Sequence, residues 1–157
     1  MAHPNLALIQ ALRQASVNLR NNMPYAWGHH GACNCGHILQ VVTHLSKEEI
    51  LEYAQTGIGE WTEIASGWCE TTSLPVDMLI SRLEAMGLTA TDIHNLEYLQ
   101  DRKILEKLPG GMRWLQKNKR ADVVLYFETM ANVLEEMLIC SIQIPKLDHS
   151  TLQLENT

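Results

Sequence analysis

The chain has 157 residues, 46% of them hydrophobic and 19% charged, a size and composition that fit one globular domain and argue against wholesale disorder. Its 18 acids against 12 bases leave a net charge of −6, the wrong sign for the counterion-displacing field of a nucleic-acid binder. No apolar run approaches the roughly 18 residues that cross a bilayer, and Met1 to Arg20 lacks the charged start, apolar block and cleavage site of a secretory signal. A soluble cytoplasmic protein is expected, with its four cysteines as thiols or ligands rather than a disulfide framework.

His3-Pro4-Asn5 opens the first helix, and Leu6, Ile9, Leu12 and Leu19 recur along it at helical spacing. Asn21-Asn22 and Pro24 end it. A second, short helix is predicted over Ile38 to Leu45, with Gly36-His37 at its mouth. Ser46 and Glu49 make a capping box for a third, whose buried face is Ile50, Leu51, Tyr53 and Ala54. Trp61, Ile64, Ala65 and Trp68 share a face of the next and lead into Cys69-Glu70.

Thr71-Thr72-Ser73 before Pro75 signals another start, with Val76, Leu79, Ile80, Leu83 and Met86 as the stripe and Gly87 as the stop. Thr89 to Asp92 begins a helix carrying Ile93, Leu96 and Leu99. Asp101 caps a short one through Leu108, which Pro109-Gly110-Gly111 breaks. The last and longest runs from Val123 to Ser141, with Phe127, Met130, Ala131, Leu134 and Met137 in a three-four rhythm, and Pro145 stops it. No stretch alternates with period two between hairpin turns. The reading is all-α: a single-domain bundle of about seven helices over residues 1–145, followed by a polar C-terminal tail, 146–157.

One stretch departs from this pattern. Tyr25 to His37 reads YAWGHHGACNCGH and holds two of the four cysteines, three of the seven histidines and three glycines. Thiolate and imidazole are the donors that zinc and iron prefer, and a tetrahedral centre needs four. Cys33, Cys35 and His37 supply three candidates, and Cys69 is the best fourth. Zinc is favoured over iron, because a cluster would need a fourth well-placed thiolate and Cys140 is expected to be buried mid-helix, far along the chain.

The single residue between Cys33 and Cys35 is an unusual spacing. Extended backbone would send the two sulfurs to opposite faces, so a tight turn at Gly31 and Gly36 is required. His29, His30 and Glu70 are the acid-base candidates if the centre is catalytic. Trp27 and Trp68 are candidate walls for a flat ligand, although tryptophans at helix contacts are more often core.

Two other readings compete with metal binding. Cys35-Gly36 lies where a helix should begin, and its partial positive charge would lower a thiol's pKa, which suits a cysteine-based thiol or redox enzyme. The remaining alternative is a metal-free helical interaction or regulatory module, docking a protein partner or a second copy. A purely structural use of the loop weighs as much as the metal: cysteine is readily buried, and glycine serves turns. Glu60 and Glu63 read as a solvated face, His44 and His94 as satisfied bundle histidines, and Lys117-Asn118-Lys119-Arg120 as a solvated helix end.

Overall fold

The computed structural model describes residues 1–57, 59–67 and 74–142. Eight helices form among them: α1 (Leu6–Arg20), α2 (Asn34–Thr43), α3 (Lys47–Ala54), α4 (Trp61–Gly67), α5 (Pro75–Ala85), α6 (Ala90–Tyr98), α7 (Arg102–Leu105) and α8 (Arg120–Ser141). No strand occurs in the described residues, so the all-α expectation of about seven helices holds with one to spare. Trp68, Cys69 and Glu70, and the tail from 146 to 157, lie outside the described residues.

Most helix starts follow from a side-chain oxygen that satisfies an otherwise unpaired first-turn N–H. Asn5 Oδ1 accepts from Leu8 N at 2.9 Å, Ser46 Oγ from Glu49 N at 3.1 Å, and Asp101 Oδ1 from Lys103 N at 3.0 Å. Thr89 and Asp92 cap each other reciprocally at 3.2 and 2.9 Å. Asn5 does more than cap: its Nδ2 donates to Met86 O at 2.7 Å, fastening the start of α1 to the end of α5.

Helix α8, about 33 Å long at 1.5 Å per residue, packs along α1 in the most extensive helix pairing. Leu8, Leu12, Ala15 and Leu19 of α1 and Val123, Phe127, Met130 and Leu134 of α8 are all buried in one continuous apolar cluster. Each such side chain contributes on the order of 2 kcal/mol by leaving water. Arg13 spans the seam to Glu135 through a two-pronged ion pair of 3.2 and 2.7 Å; it is half exposed and adds little beyond alignment. Helix α2 packs against α1, α3, α5 and α6, while α4 packs on α6. The start of α2 therefore lies under the end of α6, and that junction carries the unusual chemistry.

Two expectations are corrected here. Helix α2 begins at Asn34, four residues earlier than the predicted Ile38, so Cys35 and His37 are helical rather than loop. The supposed solvated helix end at 117–120 is only partly solvated. Arg120 Nη1 donates to Leu19 O and Met23 O at 2.8 and 2.7 Å, taking carbonyls at and beyond the last turn of α1.

Candidate functional site

Residues 26–33 fold back on themselves before α2 begins. Ala26 N reaches Ala32 O at 3.1 Å, and both Ala32 N and Cys33 N reach His29 O at 2.9 Å. Two glycines permit the compaction. A Cβ on Gly31 would stand 2.0 Å from Lys47 O, and one on Gly36 would stand 2.5 Å from the backbone of His30 and Gly31. Gln40 Nε2 donates to Gly31 O at 2.6 Å and holds the fold-back on α2. These glycines serve close backbone approach rather than the tight turn expected of them, and Gly36 lies within α2.

Cys33 is the N-cap of α2, yet its side chain caps nothing. The acceptor comes from α6 instead: Glu97 Oε2 takes the Cys35 N–H at 2.8 Å. Asn34 Nδ2 donates to Glu97 O at 2.7 Å, and Asn34 Oδ1 accepts from the Tyr25 hydroxyl at 2.6 Å; that hydroxyl also contacts Lys117 O. The Glu97 carboxylate also acts electrostatically on both thiols, raising their pKa values. Cys33 Sγ lies 3.6 Å from His30 O and Cys35 Sγ 3.7 Å from Ile93 O. Three acidic groups thus meet at 2%, 0% and 3% exposure for Cys33, Cys35 and Glu97.

Burial dominates their protonation. It pushes both thiols well above the usual range, and Glu97 reinforces the shift. Burial likewise raises the Glu97 carboxyl, against the opposing pull of the Cys35 N–H. Helix α2 does present an N-terminus to Cys35, but the carboxylate occupies its donor, so the expected lowering of a thiol pKa is overridden. Tyr25 is raised too, first by burial and then by Glu97.

His37 does not join this cluster. Its Nε2 faces Pro24 O at 3.0 Å, its ring lies 6.0 Å from that of Tyr25, and its buried Nδ1 has no hydrogen-bond partner among the described residues. Burial lowers its pKa, with Pro24, Arg120 and Ala32 as further influences and neither thiol among them. His29 Nδ1 accepts from Gly31 N at 3.1 Å inside the turn. His30 Nε2 faces Gly59 O at 2.9 Å, while its carbonyl also takes the Trp61 indole N–H at 3.0 Å. Both histidines therefore hold the loop.

Trp61 is core, 1% exposed, whereas Cys140, expected to be buried mid-helix, is exposed and stands next to the last residue of α8. Trp27 is half-buried, edge-on to Tyr98 at 5.9 Å, with its indole N–H unpartnered among the described residues. Tyr98 donates to Glu60 Oε1 at 2.6 Å, a bond that heads the causes pushing its pKa up to about 12; Glu60 is accordingly not a member of a freely solvated face.

The structure thus unites Cys33 with Cys35, adds Glu97 and separates His37 from both; Cys69, Glu70 and Trp68 are outside the described residues. Among the described residues no three His, Cys, Asp or Glu side chains are placed to hold a metal ion. Glu97 was absent from the sequence-derived set, yet it had a signal. It follows Ile93 by four residues, which puts a carboxylate on the core-facing stripe of its helix. Comparison with known protein families, curated proteins and solved structures finds no match to the chain.

Proposed function

We propose that the chain is a small metal-binding protein in which Cys33, Cys35 and Glu97, not placed to hold an ion as they stand, turn from their present partners onto a thiophilic divalent ion, zinc ahead of iron. One observation carries the reading: three ionisable acids are buried together, with no compensating cation among the described residues. None of the salt bridges among the described residues reaches Glu97. Such a cluster stays neutral only by keeping its protons. One divalent ion would replace the three protons, one from each group, and take the cluster from neutral to a single negative charge.

The donors now engage His30 O, Ile93 O and the Cys35 N–H, so loading exchanges those hydrogen bonds for metal bonds. A tetrahedral ion takes a fourth ligand. Cys69 remains the leading candidate. A thiolate there makes the centre structural, whereas a water leaves an open position for Lewis-acid chemistry. Free thiols at Cys33, Cys35 and Cys140 suit a reducing, cytoplasmic setting. No helix among the described residues is long and apolar enough to cross a membrane.

The thiol-enzyme reading has less support, since both sulfurs are buried and held protonated. Cobalt titration of the purified, metal-stripped protein tests the proposal, because a thiolate-to-cobalt charge-transfer band reports sulfur ligation. One equivalent of cobalt, displaced by zinc and lost in Cys33→Ser, is expected, with affinity falling in acid as protons compete. A chain that takes up no stoichiometric cobalt or zinc, and in which Cys33→Ser is silent, would return the choice to a metal-free docking module.

A further inference from the structure

Above the buried acids lies a second arrangement that metal binding does not use. Trp27 and Tyr98 meet at 70°, their rings forming an open corner. The Lys117 ammonium sits in it, 4.0 Å from the Trp27 ring centre and 4.2 Å from that of Tyr98. His94 stacks on Tyr98 at 4.7 Å, and Glu60 accepts from the Tyr98 hydroxyl, so the Tyr98 wall is braced from two sides. The salt bridges among the described residues do not include Lys117. Its charge is met by two π faces, the mode by which proteins recognise alkylammonium groups.

The occupant arrives on an irregular segment between α7 and α8, whose Met112 and Trp114 are 41% and 66% exposed. Near Lys117 the segment is held by the Tyr25 contact to Lys117 O, by Gln116 N to Asp122 Oδ2 at 2.8 Å and by one turn, Lys119 N to Gln116 O at 3.0 Å. Few bonds oppose withdrawal of the lysine, while the corner is positioned by α6 and by the compact turn before α2.

We propose that the Trp27–Tyr98 corner is a binding site for an external alkylammonium group and that Lys117 is its built-in competitor. The two rings select a cation by its charge and its methylene or methyl surface. Lys117 fills the site when no such group is present and leaves when one arrives. The proposal is independent of the metal centre and survives its failure.

The test is titration of the full chain with tetramethylammonium and with n-butylammonium, at constant ionic strength, following the Trp27 indole N–H by NMR. If Lys117 fills the corner nine-tenths of the time, its removal raises apparent affinity about tenfold. Lys117→Ala should therefore saturate at about one-tenth the concentration that wild type needs, and Tyr98→Leu in that background, which keeps the Trp27 reporter, should abolish the response. Tighter binding of tetramethylammonium would assign the site to quaternary groups, and tighter binding of n-butylammonium to primary amines. Lys117→Ala binding no better than wild type, or an unchanged titration after Tyr98→Leu, would overturn the proposal. Were Lys117→Ala unfolded, the wild type carries the test: at high probe the Trp27 resonance must shift saturably, and a non-saturating drift would overturn it equally.

Discussion

Glu97→Ala and Glu97→Gln separate the two parts played by this carboxylate. Truncation to Ala leaves the Cys35 N–H buried without its 2.8 Å acceptor, a loss of about 1–3 kcal/mol. It also empties the space of a 3%-exposed side chain between two thiols, adding roughly 1 kcal/mol for the lost methylene and its packing. A total near 3 kcal/mol lowers the Tm of a chain this size by about 6–12 °C. Gln keeps a carbonyl oxygen for Cys35 N and should cost much less.

The pH dependence has a definite sign. Burial raises the folded carboxyl pKa, so the folded chain holds a proton that the unfolded chain has released. That contribution is complete below the ordinary glutamate pKa of about 4.3 and is lost as pH rises through the folded value. Wild type should therefore lose ground to Glu97→Gln as pH climbs above about 4.5. Thermal melts of both variants and of Glu106→Ala, an exposed control, in chelator across pH 4.5–7.5 measure this. The reasoning fails if Glu97→Ala melts with the control, or if wild type gains on Glu97→Gln with rising pH.

Gly31→Ala should be severe, costing about 3 kcal/mol or more, because its Cβ would meet a backbone carbonyl at 2.0 Å that no side-chain rotation relieves. Gly28→Ala, with open space around it and only a φ of +95° to oppose it, should cost about 1–2 kcal/mol; denaturant melts that rank the pair the other way would refute the packing argument. In the native, metal-free protein, Cys140 should alkylate at least about a hundredfold faster than Cys33 or Cys35, which are buried and protonated. Mass spectrometry of timed maleimide quenches reads the order, and early modification of Cys33 or Cys35 would revive the thiol-enzyme reading.

The helix starts that were legible in the sequence share a cause. Asn5, Ser46, Thr89 and Asp101 each bond within three residues of themselves, so their caps are local facts. The start of α2 was misread for the opposite reason: its first-turn acceptor is Glu97, 62 residues from Cys35. Trp61 proved to be core, one of the ordinary roles allowed for the tryptophans. Lys117 and Arg120, neighbours in a basic run, go to different places, one to aromatic faces and the other to carbonyls of and just beyond α1. Composition alone does not distinguish them.

By itself the sequence determined that the chain is helical, where most helices begin and which faces turn inward, because caps, turns and apolar stripes act over a few residues. It also marked Tyr25 to His37 as the chemically unusual stretch. Only the tertiary structure decided which groups of that stretch meet. His37 turns toward Pro24, and the close approach of α2 to α6 brings a carboxylate from a distant helix onto the Cys35 N–H. Pairing of side chains across such distances is set by packing of whole helices, and no local pattern encodes it.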